Sequence, residues 1–140
     1  MKIKFKVVTP ERTVFQDEID QITLPATEGE VTILPNHTPY ITVLGFGEIV
    51  FKKDGKESSL AVSGGFVEFN NNELVVLADM AERAEEIDLQ RAEEAKKQAE
   101  ETMKQKITLE ESEYALVAAA IERESARIKV AKKHHSKIKN

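Results

Sequence analysis

"LADMAERAEEIDLQRAEEA", Leu77 to Ala95, contains the point at which the chain changes its period. The "ELVVLAD" run that leads into it, Glu73 to Asp79, reads as a strand, and everything before that run is a series of short apolar-rich segments cut by turn residues. Beyond Asp79, Ala, Glu, Lys and Gln recur with a helical period, and neither Gly nor Pro occurs again as far as Asn140. A change from period 2 to period 3.6 near residue 85 predicts an α+β protein. An antiparallel β-sandwich or flattened barrel over residues 1–84 is followed by an antiparallel two-helix hairpin over 85–140.

The strand half can be followed in detail. Ile3, Phe5 and Val7 alternate with Lys2, Lys4 and Lys6, which gives one buried and one wet face. Further strands are expected at "TVF", "EIDQITL", "VTIL", "YITVL", "EIVFKK", "SSLAVS", "GFVEFN" and "ELVVLAD". Asp54-Gly55 between two alternating runs is a hairpin signal, and "NNN" at 70–72 marks another turn. "SGGF", Ser63 to Phe66, joins strand to strand with no helix N-terminus behind it, so a bulge or tight turn is expected there and not a phosphate cradle.

In the helical half, Asp88 is placed to cap the first helix, whose Ala92, Ala95, Ala99 and Met103 share a row. A break is expected near Gln105 to Ile107, and Thr108 with Glu111 forms a capping box that starts the second helix. Two helices totalling about 50 residues bury too little surface to fold alone and must lean on the sandwich. Their mating face is largely alanine, which lacks most of the roughly 0.8 kcal/mol per buried CH₂ that leucines would supply. Docking worth a few kcal/mol is therefore expected, a range that a ligand or partner can reverse.

Composition excludes several classes. There is no Cys, so disulfides and thiolate metal sites are absent. The longest uncharged apolar runs, "LVVLA" and "ALVAAAI", fall far short of the roughly 20 residues that span a bilayer, so no direct membrane insertion is expected. "MKIKFKVV" is a strand and not a signal peptide. Residues 1–86 carry 8 Lys and Arg against 15 Asp and Glu, while 87–140 carry 12 against 10. From Ser125 onward every charged residue is basic, namely Arg127, Lys129, Lys132, Lys133, Lys137 and Lys139. Such a run suits a helix C-terminus or an acidic protein surface. Without interleaved aromatics, and with an acidic chain overall, it does not point to nucleic acid.

Few residues qualify as chemistry. His37 lies between Pro35 and Pro39, far in sequence from His134 and His135, and has neither an orienting partner nor metal-binding company. Its loop is apolar and Pro-stiffened, with Ile33, Leu34, Tyr40, Ile41 and Leu44 near the turns, and reads as a docking tip. On the second helix Leu116, Ala120, Arg123 and Arg127 fall on one row, so two arginines continue an apolar stripe. Either they snorkel to water or bridge to Glu124 or to acids of the first helix, or they hold an anion between the helices, with Asp88 and Arg91 at the other helix's start. No clustered acid, base or metal set supports an enzyme, and no metal is needed by the site considered.

"GEVTILPNHTP", "AVSGGFVEF" and "LADMAERAEEIDLQRA", followed by the Ala-rich hairpin, together resemble the epsilon subunit of bacterial F-type ATP synthase from Phe5 to about Lys132. The resemblance implies a non-catalytic rotor subunit of a proton-translocating synthase, peripheral at the cytoplasmic face of the cell membrane. The sandwich would sit beside the gamma subunit, with the end carrying Ile33, Leu34, His37, Tyr40 and Leu44 toward the c-subunit ring. It implies a hairpin that permits ATP hydrolysis when folded. Extended along gamma, the hairpin would block hydrolysis, its Lys129, Lys132 and Lys133 meeting the alpha and beta subunits of the catalytic head. Bacillus-type members bind one unhydrolysed ATP in the folded hairpin through a motif matched here by Ile87, Asp88, Arg91 and Ala92, with Glu82 before it and Arg123 and Arg127 on the second helix. Gln98 stands where strong binders carry another Arg, which implies a weaker site. A free-standing nucleotide sensor would use the same hairpin but need no apolar sandwich tip.

Overall fold

The computed structural model describes residues 1–105 and 110–139. Seven strands come first: β1 (Ile3–Val8), β2 (Thr13–Ile19), β3 (Gln21–Ala26), β4 (Gly29–Ile33), β5 (Tyr40–Lys53), β6 (Lys56–Asn70) and β7 (Glu73–Arg83). They hydrogen-bond in the order β2-β1-β7-β6-β5-β3-β4, antiparallel throughout except for the parallel pair β1 and β7. The sheet curls over itself into two layers. Phe15 of β2 packs with its ring centroid 4.8 Å from that of Phe51 of β5, with three strands between them in the hydrogen-bonding order, and Phe5 of β1 touches both rings. One apolar core, with Ile3, Phe5, Ile22, Leu24, Phe69 and Leu74 at its centre, fills the space between the layers.

Turn chemistry agrees with the sequence. Asp54 (φ 51°) and Gly55 (φ 82°) form the two-residue turn between β5 and β6, and Asn71 (φ 50°) and Asn72 (φ 60°) the turn between β6 and β7. Beside the first turn, the Lys53 ammonium holds the Asp17 carboxyl below its ordinary range, and the Asp54 amide and Lys2 do the same for Asp20.

The strand count differs from the sequence reading. "YITVL" and "EIVFKK" are one strand, β5, and "SSLAVS" and "GFVEFN" are one strand, β6, whereas "EIDQITL" is split at Asp20 between β2 and β3. The reason is a slip in side-chain phase. Along β5 the core takes Leu44 and then Ile49 and Phe51; along β6, Leu60 and Val62 and then Val67 and Phe69; along β7, Leu74, Val76 and Ala78 and then Ala81. An odd step occurs in each strand, and the three steps lie in register, since Leu44 pairs with Gly65 and Gly65 with Ala78. Gly64 (φ 75°) and Gly65 (φ 130°) make the slip possible, because positive φ turns the following side chain to the other face. "SGGF" is therefore no tight turn, and no extra residue enters the ladder, because the register of β6 is the same on both sides.

The chain leaves β7 through a short 3-10 turn (Ala84–Glu86) into α1 (Leu89–Gln105) and α2 (Glu111–Lys139). Asp88 caps α1, its Oδ1 accepting from the Arg91 amide at 3.1 Å. Ala92 is fully buried and Ala95, Ala99 and Met103 are half-buried along the same row. Thr108, expected to open the second helix, lies outside the described residues. α1 packs mainly on α2, while the C-terminal half of α2 rests on β5, β6 and the 3-10 turn. Ala61, Ala84, Ile87, Val130 and Ala131, with Leu89 beside them, form the apolar contact between hairpin and sandwich. The row Leu116, Ala120, Arg123 and Arg127 is not one buried stripe, because Leu116 lies beyond the sandwich and is 74% exposed.

Candidate functional site

Past the phase slip, the outward face of β5, β6 and β7 carries Glu48, Ala61 and Glu82 side by side. This acid, small, acid row receives α2. Val130 and Ala131 settle on Ala61, where a larger side chain would hold the helix off. Lys133 Nζ lies 3.0 Å and Lys129 Nζ 3.6 Å from the Glu48 carboxylate, which is nearly buried. Arg127 turns to Glu82 at the other end. Its Nη2 donates to Glu82 Oε2 at 3.2 Å, while Nε lies 2.8 Å from Oε1 without the alignment of a hydrogen bond. Nη1 donates to both oxygens of Glu124, whose side chain is 4% exposed. Burial opposes the charge on Arg127, but the hydrogen bonds it donates to Glu124 and Glu82 outweigh it and raise the guanidinium above its ordinary pKa.

Arg123 joins Arg127, Glu82, Ser63 and Met80 around a cleft of about 10 Å³, room for at most roughly one water molecule. The structure thus brings Glu82, Arg123 and Arg127 together. Asp88 and Arg91 do not line that cleft; they pair loosely with each other at 3.7 Å, with Arg91 84% exposed. Ile87 and Ala92 are buried and serve packing, and Gln98 is exposed. Of the two readings open for the arginines, Arg127 makes the bridge to Glu124, and its second acid comes from β7 instead of α1.

At the sandwich tip, Ile33 and Leu44 cannot present their side chains to a partner, since both are sealed in the core. The alternation that put them near the loop also turned them inward. Leu34 is exposed, Tyr40 packs partly against the core, and His37 wedges edge-on between Tyr40 and Phe69, with Nδ1 2.7 Å from the Thr38 carbonyl. Lys132 is exposed. Sequence reasoning missed an exposed apolar row, Val43, Phe66 and Leu77, adjacent across β5, β6 and β7, with Ile41 next to it. The signal was present: "YITVL" is apolar in both phases, so one face had to be the core and the other a surface. It also missed Glu48, an acid following directly on the Gly-Phe-Gly run of β5.

Residues 2–84 match the family model described as the ATP synthase delta/epsilon chain β-sandwich domain, and residues 85–132 match the corresponding long α-helix domain. The chain belongs to the ATP synthase delta/epsilon family. Curated relatives span it almost end to end. An ATP synthase epsilon chain from Dehalococcoides mccartyi is 48% identical over 136 residues, with 94% of each chain covered. One from Herpetosiphon aurantiacus is 44% identical, covering 94% of this chain and 96% of its own. Among solved structures, a chain of the Euglena gracilis mitochondrial ATP synthase aligns with a TM-score of 0.78 at 22% identity, covering 93% of this chain and 81% of that one. One from the central stalk and c-ring of the Tetrahymena thermophila enzyme aligns at 0.57 and 13% identity. These two structures agree in fold with the sandwich and hairpin described above. Among the described residues, no helix is long and apolar enough to cross a membrane, and no cluster of three or more His, Asp or Glu is placed to hold a metal ion.

Proposed function

We propose that this non-catalytic epsilon-family chain is a central-stalk rotor subunit that links the catalytic head of an F-type ATP synthase to its c-ring and restrains ATP hydrolysis through its helical hairpin. The observation that carries the reading is the row Glu48, Ala61 and Glu82. It holds the hairpin through small apolar residues and ion pairs, a junction separate from the sandwich core and able to open without unfolding the sandwich. The exposed row of Val43, Phe66 and Leu77 supplies a protein-facing surface on the sandwich, for which the gamma subunit is the proposed occupant. Leu34 marks the end proposed to face the c-ring. With the hairpin released, Arg123, Arg127, Lys129, Lys132 and Lys133 would be free to meet acidic surfaces of the alpha and beta subunits. The exposed row disfavours the rival reading, a free-standing sensor with no docking surface to fill.

The test compares assembled complexes carrying either the full chain or one ending after Ala84. Hydrolysis is expected to rise several-fold without the helices, while the shortened chain still co-purifies with gamma. Equal hydrolysis rates would remove the inhibitory role, and failure of the full chain to co-purify with gamma would remove the rotor role.

ATP as a regulatory ligand of the folded hairpin belongs to the same proposal. Its support is the meeting of Glu82, Arg123 and Arg127 at one cleft. The cleft as folded has no room for a triphosphate, so ATP must draw Arg127 away from Glu82 or Glu124 and compete with carboxylates already in place. Affinity weaker than that of a preformed arginine site is expected, with heat of binding visible only at millimolar nucleotide. A ligand at 100 times its dissociation constant stabilises the state it prefers by about 2.7 kcal/mol, enough to bias the hairpin but short of the roughly 5.5 that reverses a 1:99 ratio. Arg123→Ala and Arg127→Ala should each abolish the ATP-dependent thermal shift; an unaltered shift in both variants would place any nucleotide elsewhere.

A further inference from the structure

We propose that Lys129, Lys133 and Lys137 form a salt-sensitive latch on Glu48 and Glu57, and that this latch sets what fraction of the chain keeps its hairpin docked. The inference rests on the hairpin being movable, as proposed above, and concerns the docked state of a segment whose Lys133 and Lys137 lie beyond residue 132, where the match to the family's helical domain stops.

Three observations carry it. The first is convergence. Lys129 and Lys133, one helical turn apart, flank a single carboxylate on β5, and Lys133 also lies 3.9 Å from Glu57 Oε1 at the start of β6. One turn further on, Lys137 Nζ donates to the Glu57 carbonyl at 2.7 Å. The second is burial. Glu48 keeps only 7% of its side chain exposed once α2 is in place, so undocking returns a carboxylate to water while docking depends on the two ammonium groups. The third is the cleft beneath this part of the helix. Lys133, His134 and Lys137 stand with Ser58, Ser59 and Glu57, and with Ala84 and Val130 at its apolar edge, around a cleft of about 140 Å³, so among the described residues from Lys133 onward the contacts to the sandwich are made by charged groups. The apolar contact next to it is made of Ala61, Ala84, Ala131, Val130 and Ile87, mostly small side chains, which leaves the ion pairs a large share of the docking.

The absence of Cys gives a clean background for labels. Spin labels at Glu18→Cys on the sandwich and Glu122→Cys on α2, both exposed positions, report hairpin docking as a distance distribution in the full chain. Measurements along a urea series below the sandwich transition keep the docked fraction measurable even where it is near unity in water. The docking constant should fall about tenfold in Glu48→Gln and in Lys133→Met, as for loss of a charge-assisted hydrogen bond at a poorly solvated carboxylate. It should fall at least tenfold in a chain ended after Lys132, which loses Lys133 and Lys137 together. In the native chain it should fall about three- to fivefold at 1 M salt, where the screening length is about 3 Å. The charge swap of Glu48→Lys with Lys133→Glu should recover part of the loss. Docking constants within twofold of native in both Glu48→Gln and the shortened chain would overturn the latch. A single docked distance in every variant, up to unfolding of the sandwich, would overturn the latch and the movable hairpin together. Shifted populations that leave hydrolysis by the assembled complex unchanged would leave the latch standing and remove the inhibitory role.

Discussion

Gly65→Ala is expected to prevent the sandwich from folding at ordinary temperature. A Cβ at this position would lie 2.1 Å from the Leu77 carbonyl oxygen and 2.8 Å from the Ala78 Cα, both backbone atoms of a paired strand that cannot retreat without breaking the ladder. The φ of 130° adds a conformational cost that only glycine escapes. Together these should cost about 4 kcal/mol or more, a large part of the roughly 5–15 that a domain possesses. Melting should therefore fall by about 15–30 °C, if soluble protein is obtained at all. Gly55→Ala is the control, since its φ is also positive but its Cβ would meet nothing within 4 Å, and about 1 kcal/mol is expected there. A Gly65→Ala protein that melts within about 5 °C of the native chain would mean that the three-strand slip is not built as described.

Arg127→Met should release the hairpin while leaving the sandwich folded. The substitution leaves the Glu124 carboxylate, nearly buried, and Glu82 facing each other without a cation between them. A loss of about 2–3 kcal/mol in docking is expected, less than for a fully buried pair because Arg127 and Glu82 each keep about a fifth to a quarter of their side chains in water. Limited proteolysis reads this directly. Cleavage between β7 and α1 should accelerate roughly thirty- to 150-fold, since it follows the population of the opened form. Adding Glu124→Gln should restore part of the loss, and the double-mutant cycle isolates the pair from the packing of its carbon atoms. Unchanged cleavage in Arg127→Met would show that the Arg127 bridge adds nothing to docking, leaving the apolar contact and the lysine pairs on Glu48 to hold the hairpin.

What could be read in advance from the sequence follows the distance over which each interaction acts. Asp88 as a cap and the Asp54-Gly55 and Asn71-Asn72 turns were legible because each is decided by residues within four of one another. The limits of β5 and β6 were not, because a phase slip inside a strand and a turn between two strands leave the same mark, an interrupted alternation around glycine. Ile33 and Leu44 show the complementary error. Alternation gives the two faces of a strand, but which face meets the core depends on the opposing layer, and for these residues that is the core side. The site had the same limit. Arg123 and Arg127 could be singled out on their helix, but Glu82 came from a motif and not from geometry, and Glu48, 85 residues from its lysine, had no local signature at all.

The slip in β5, β6 and β7 leaves one side of the sheet outward along its whole length while changing which residues occupy it. Before the slip that side shows Val43, Phe66 and Leu77; after it, Glu48, Ala61 and Glu82. From Leu77 to Glu82 is five residues of β7, about 16 Å at strand rise. An oily landing ground and a charged one therefore share a single stiff plate, and a protein seated on the first has the docked helix as its immediate neighbour.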